Sequence, residues 1–202
     1  MKILLIIVGV IVLAFIIIQV FAWRGQRNIE TYPYVVLKKY NTFEIRNYEA
    51  SLFTSVTLSD KGYKETSSKG FSILAGYIFG GNERNEKISM TSPVAISLED
   101  SMTVMFMVPK KNKKETLPRP NQPQIEFRDE PAKTVASVTF GGWANDEKIK
   151  KFKEKLITAL DKEGIAYTNR FYFLGYNPPY EVLNRKNEVI VELESDTLNT
   201  TK

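Results

Sequence analysis

Residues 43–58 read FEIRNYEASLFTSVTL, and residues 125–140 read IEFRDEPAKTVASVTF. The two stretches align without gaps at an offset of 82 residues. Glu44, Arg46, Ala50, Ser55, Val56 and Thr57 each meet an identical partner, and several other pairs exchange one apolar residue for another. Each copy alternates in period two and is rich in β-branched and aromatic residues, so each reads as two strands with a turn near its middle. The segments after the two copies match as well. After the first copy comes a helical pattern over about 63–79 and strands near 87–98 and 102–108. After the second comes a helix over about 146–162 and strands near 170–176 and 188–193. Asn145 suits the N-cap of that second helix and Gly164 its C-terminal stop. Two ββαββ units of this length predict one α+β domain, not a solenoid: an antiparallel sheet with a helix from each half.

The two helices differ. In the second, Ile149, Phe152, Leu156, Ile157, Ala159 and Leu160 span an arc of roughly 160°, and lysines fill most of the remainder. One face of that helix packs on a sheet. In the first, Phe71, Ile73, Leu74, Ala75, Tyr77, Ile78 and Phe79 cover roughly 240°. A sheet face does not need so much apolar surface, so something else should cover part of it. A neighbouring loop, a partner or membrane, and an apolar ligand all satisfy that demand. An aromatic, proline-stiffened loop in the other half, Tyr176, Pro178, Pro179 and Tyr180, is followed by Arg185 and Lys186. Such walls suit a flat apolar ligand with a carboxylate edge.

Before the domain, Ile3–Ile18 contains no polar side chain; Gln19 interrupts, and Val20–Trp23 resumes the run. Twenty helical residues rise about 30 Å, the thickness of a bilayer's hydrocarbon core. The stretch reads as a single-pass, uncleaved signal anchor over 1–23, in the membrane through residues 3–22, with Trp23, Arg24 and Arg27 as interfacial anchors. A cleaved signal peptide is the alternative, and only Val20-Phe21-Ala22 resembles its cleavage site. Lys2 on one side and Arg24 and Arg27 on the other nearly balance, so charge does not fix the orientation; an extracytoplasmic domain is expected from the usual handling of such segments. The chain thus divides into an anchor over 1–23, a linker over 24–32, a domain over 33–194 and a flexible tail over 195–202.

A net charge of +5 over 202 residues gives no reason to expect nucleic acid as a partner. The densest basic cluster, Lys110, Lys111, Lys113 and Lys114, precedes Pro118, Pro120 and Pro123 and reads as a solvated, mobile connection. The chain has no cysteine and no histidine, which removes disulfides, thiol nucleophiles, imidazole bases and the usual zinc sites. No nucleophile with a matching base can be named, and the domain is expected not to be an enzyme.

Residues 79–94, FGGNERNEKISMTSPV, superficially resemble a phosphate loop. No glycine immediately precedes Lys87, and the helix lies before the glycines instead of after them, so the phosphate-cradle geometry fails. Gly80 and Gly81 read instead as the helix stop, and Pro93 as a limit on the pairing of the strand it enters. Within this stretch, Tyr77-Ile78, Gly81-Asn82 and Lys87–Val94 resemble the central signature of the SOUL heme-binding protein family. Phe43–Tyr48, Phe106–Pro109, Phe140–Trp143, Tyr176–Pro179 and Arg185–Val189 are similar to further family segments, in order, across residues 33–193.

The resemblance implies a distorted antiparallel β-barrel with two flanking helices, and non-covalent binding of heme or a metal-free porphyrin without catalysis. It implies a groove along the first helix at Phe71, Leu74, Ala75 and Ile78, faced by Tyr176 and Tyr180, with Lys69, Arg185 and Lys186 for the propionates. Without histidine, iron has only Tyr, Met, Lys or carboxylate ligands, so the porphyrin faces and rim charges should supply most of the affinity. A membrane-tethered carrier or buffer of tetrapyrroles is the leading expectation. A sensor or interaction module, taking another apolar ligand or a partner helix in the same groove, is the alternative.

Overall fold

The computed structural model describes residues 1–26, 29–59, 62–99 and 101–194. The tail expected at 195–202 lies outside them. An N-terminal helix α1 (Lys2–Gln26) is followed by β1 (Glu30–Thr31), β2 (Tyr34–Lys39), β3 (Glu44–Tyr48), β4 (Ser51–Leu58) and helix α2 (Tyr63–Ile78). Then come β5 (Thr91–Ser92), β6 (Val94–Ser97), β7 (Met102–Met107) and a short 3₁₀ turn (Lys114–Thr116). β8 (Glu126–Glu130), β9 (Lys133–Gly141), helix α3 (Asp146–Glu163), β10 (Tyr167–Gly175) and β11 (Lys186–Leu193) complete the chain.

Nine strands form one antiparallel sheet in the order β2-β3-β9-β11-β10-β6-β7-β4-β8, curled into a half-barrel. Setting β2 aside, exchanging β3, β4, β6 and β7 for β8, β9, β10 and β11 reverses this order onto itself, with the β10–β6 pairing at its centre. The two strands of each aligned stretch, β3 with β4 and β8 with β9, do not pair with each other: β3 lies on β9, and β4 lies on β8. Each two-strand segment is thus split across the halves, and the halves cannot separate without breaking the sheet.

Alternation along the strands sends successive side chains to opposite faces. Val104 and Phe106, Phe171 and Phe173, and Val189 and Val191 enter a core with α2 and α3. Met105 and Met107, Tyr172 and Leu174, and Ile190 enter a second cluster on the other face, covered by Tyr32 and Tyr34. Both clusters lie within residues 32–193, so α1 contributes to neither.

Helix ends obey local chemistry. The Asn145 side chain accepts from Lys148 N–H at 2.8 Å and caps α3, while Gly164 ends it with φ 65°. At the end of α2, Gly81 N–H donates to Gly76 C=O at 2.8 Å and Gly80 N–H to Tyr77 C=O at 3.2 Å. This is a Schellman closure that places φ +112° at Gly80, where only glycine is unstrained. Asn82 then ties the reversal down by donating to Tyr77 C=O and Glu86 C=O. The double glycine is a structural stop, as its position after the helix requires. Pro93 separates β5 from β6, and the Ser92–Pro93 peptide is cis.

The 19-residue stretch Lys2–Val20 of α1 is long and apolar enough to cross a membrane, and signal sequences share that property. Its helix continues to Gln26, into the segment expected as a linker.

Two glycines of α2 behave oppositely. A Cβ on Gly70 would sit 2.8 Å from Val104 Cβ, in a fully buried contact, whereas at exposed Gly76 the nearest atom would be 4.0 Å away. Gly76→Ala is expected to stabilise the domain by up to about 1 kcal/mol, through helix propensity. Gly70→Ala should lose up to about 2 kcal/mol, because overpacking exceeds the same gain. Urea unfolding of both variants checks this; equal stabilisation would contradict the close approach of α2 to β7.

Candidate functional site

The predicted site residues fall into three groups. Leu74, Ala75 and Ile78 are core residues, 0%, 8% and 4% exposed. They do not line an open groove, which corrects the expectation for this part of the helix. The cover is the chain itself. Ile88 N–H bonds to Ile78 C=O at 2.8 Å, and Tyr77 donates its hydroxyl to Pro118 C=O at 2.9 Å. Leu117 and Ile125 join the same core. The Lys- and Pro-rich connection therefore keeps its lysines in solvent while sealing the C-terminal half of α2 with Leu117 and Pro118. Burial pushes the Tyr77 phenol up to about 12, as a hydroxyl committed to a carbonyl requires.

Phe71 and Lys69 form the second group. Phe71 is half-buried, edge-on to Phe106 at 5.3 Å, and Lys69 is exposed. Between and beside them α2 presents small side chains, Ser67, Ser68 and Ser72; the hydroxyls of Ser67 and Ser72 fold back onto Lys64 C=O and Ser68 C=O. The outer face of the first turns thus mixes these serines with the exposed Lys64, Glu65 and Lys69.

The third group is the loop between β10 and β11, residues 176–185. Arg185 holds it in shape: its guanidinium donates to Pro178 C=O at 2.8 Å, Glu181 C=O at 2.6 Å and Asn177 C=O at 3.3 Å. It also stacks on Trp143 at 3.9 Å. Arg185 is thus a loop staple before it is an anion partner. Tyr180, at 59% exposure, and Leu183, at 57%, project from the loop, and Trp143 is 53% exposed beside its base. The first residue of α2, Tyr63, packs edge-on to Phe173 at 4.9 Å, and its backbone N–H bonds to Asp146 Oδ1 at 2.7 Å. Asp146 opens α3 three residues after Trp143, on which Arg185 stacks, so the start of α2 lies near the base of the loop; burial raises the Tyr63 phenol and the charge of Arg185 opposes it. The structure brings together Tyr176, Arg185 and Lys186, with Tyr180 at the tip and α2's first turn beside the base.

Beneath the loop lies a charge network that sequence reasoning missed. Glu188 on β11 is fully buried. It accepts from Arg46 at 2.9 Å, from the Tyr176 hydroxyl at 2.7 Å and from Thr139 at 3.1 Å, and pairs with Lys186 at 3.0 Å. Arg46 reaches across β9 to make its bond, also bonds Glu44 at 2.8 Å, and lies over the Tyr34 ring at 4.4 Å. Burial alone would raise the Glu188 carboxyl, but Arg46, followed by Lys186 and Tyr176, outweighs it and holds the group below its usual range. Burial, and then the Glu188 charge, push the Tyr176 phenol well above its usual value. The signal available in the sequence was Arg46, one of the positions shared by the two aligned stretches; nothing local marks Glu188 as its partner.

The curled antiparallel sheet with two helices on one face is a fold with solved representatives. The EcmrR C-terminal domain superposes with a TM-score of 0.58 at 12% identity, over 75% of this chain and 96% of that one. A hydrolase from Listeria innocua gives 0.55 at 8% identity, over 78% and 94%. At such identities the likeness is one of fold. Within that fold, the model of the SOUL heme-binding protein family matches residues 29–192, and the chain belongs to that family. Relatives include heme-binding protein 1 of Xenopus laevis, 31% identical over 73% of this chain and 81% of its own length. Heme-binding protein 2 of Mus musculus is 27% identical over 83% of this chain and 82% of its own.

Removing Arg46 would leave the buried Glu188 carboxylate with part-exposed Lys186 as its remaining cationic partner, so Arg46→Leu is expected to cost about 3 kcal/mol in urea unfolding. The Glu188 carboxyl is depressed in the folded state. Its contribution is therefore complete above the ordinary carboxylate range, near pH 4.3, and is lost as pH falls through the lowered folded value. The stability gap between wild type and Glu188→Gln should narrow on acidification below about pH 5; a gap that stays constant from pH 7 to the acid limb would contradict this.

Proposed function

We propose that the chain is a membrane-tethered, non-enzymatic binding protein for heme or a related tetrapyrrole, with residues 1–23 as anchor and 33–194 as the binding domain. Membership of the SOUL family, with heme-binding relatives at 27–31% identity, is the observation that carries this reading. The surface that supports it is the outer face of the first turns of α2 together with the 176–185 loop. Tyr180, Leu183 and Trp143 offer apolar area to a porphyrin face, and the small serines beside Phe71 favour the approach of a planar body. Lys69 and Lys186 stand at the rim for propionates. Lys186 already pairs with Glu188, so it would share its charge.

The donor set speaks against strong axial ligation. The chain has no histidine, and the Tyr176 phenol is half-buried, bonded to Glu188 and held protonated. Bound heme supplies its redox and gas-binding iron; this chain's residues would bury one porphyrin face and hold its carboxylates.

Because neither core uses α1, the domain from residue 24 onward is a fair test object. Hemin should shift its Soret band and saturate near one equivalent, and protoporphyrin without iron should bind within about tenfold, since iron adds little. Tyr180→Ala and Leu183→Ser should each weaken binding by about tenfold. Phe79→Ser, at an exposed position at the far end of α2, should not. A flat titration, or equal loss in all three variants, would overturn the reading.

A further inference from the structure

We infer that the tip of the 176–185 loop is a second membrane contact, seated in the bilayer interface beside α1. This rests on the tethered reading above and adds a surface to it. The observation is a pair of hydrogen bonds. Gln19 is the only polar residue between Ile3 and Ala22. Its side-chain amide donates to Tyr180 C=O at 3.1 Å and accepts from Val182 N–H at 3.1 Å. Gln19 is half-buried by this contact, while every other residue of α1 from Lys2 to Val20 is exposed.

The arrangement answers a physical need. Irregular backbone entering an apolar layer must find partners for its N–H and C=O groups. One amide side chain supplies a donor and an acceptor, and it does so at the loop's turn. The position is also right in depth. The apolar run of α1 resumes after Gln19 and ends at Trp23, before Arg24, so Gln19 lies about one turn inside that end of the span and the loop bonded to it lies where the hydrocarbon layer meets the headgroups.

The composition of the tip agrees. Outside α1, the exposed large apolar side chains among the described residues are Val35, Leu37, Phe79, Trp143, Tyr180, Val182 and Leu183. Four of these seven sit on the loop or, for Trp143, against its Arg185 staple. Tyrosine and tryptophan are the side chains that favour an interface, with an apolar body and a polar tip. Between α1 and the loop an open wedge of ≈ 420 Å³ is walled by Phe15, Ile16, Gln19 and Val20 on one side and by Leu183, with Glu181 and Asn184 at its polar edge, on the other. Lipid chains are the occupant continuous with a membrane helix. A loop seated in this way turns the proposed tetrapyrrole surface towards the lipid, from which an apolar ligand would arrive.

The chain has no cysteine, so single labels are unambiguous. Full-length Leu183→Cys, Tyr180→Cys and, as an aqueous control on α3, Lys150→Cys would carry an environment-sensitive fluorophore in phosphatidylcholine vesicles. Positions 183 and 180 should show blue-shifted emission and quenching by doxyl lipids, and position 150 neither. Adding Gln19→Leu, which keeps α1 apolar, should move position 183 towards aqueous emission and raise its quenching by iodide. Carbonate extraction of the same vesicles separates the two readings. If the protein stays with the membrane but position 183 emits as position 150 does, the loop contact is wrong and the tether stands. If the protein is extracted, the tether fails and the loop contact with it.

Discussion

One carboxylate organises the end of the molecule where binding is proposed. Glu188 has no solvent exposure, yet it stays charged because Arg46, Lys186, Tyr176 and Thr139 surround it. A lone carboxylate in that position would be prohibitively costly; a paired one with every lone pair engaged is tolerable and highly directional. The pair joins β3 to β11 over the intervening β9 and fixes Tyr176 and Lys186 at the two roots of the β10–β11 loop. Arg185 then shapes the chain between those roots. The loop is rigid at its base through buried charge and apolar at its tip, the combination a binding edge needs.

The sheet supplies the frame for that network. Since β3 pairs with β9 and β4 with β8, each half of the chain completes the other half's strands. Arg46 therefore meets Glu188 from the opposite half of the sequence, and the site cannot form before both halves are in place. α2 and α3 cover one face, while Tyr32 and Tyr34 close the other around Tyr48 and Tyr172. On that second face Lys133 lies between Glu130 at 2.7 Å and Glu192 at 3.0 Å, a second paired cluster that lets polar strand residues turn inward.

Much of this is legible in the sequence where the cause is local. The helix expected at 146–162 runs Asp146–Glu163 because Asn145 and Gly164 set its ends, and the one expected at 63–79 runs Tyr63–Ile78 up to its glycine closure. Alternation and apolar content mark the strands at 102–108 and 188–193. The failures are non-local. Nothing in FEIRNYEASLFTSVTL says that its two strands pair elsewhere. The wide apolar arc of α2 is real, but its cover is not a ligand: Leu117, Pro118 and Ile88 close over Tyr77 and Ile78. A basic, proline-rich stretch hides its two or three anchoring residues among solvated ones, and periodicity cannot weigh them. Gln19 is visible as an interruption; its partner, an exposed loop some 160 residues away, is not.

The binding surface therefore lies not at the middle of α2, in this proposal, but at its first turns and the stapled loop. Hydrogen–deuterium exchange of the full chain in lipid nanodiscs, with and without hemin, tests that placement most directly. Hemin should slow exchange in residues 176–185 and 63–71 and leave the already sealed 109–125 segment unchanged. Protection confined instead to the open, lysine-flanked groove between residues 39–43 and 155–163 would contradict it.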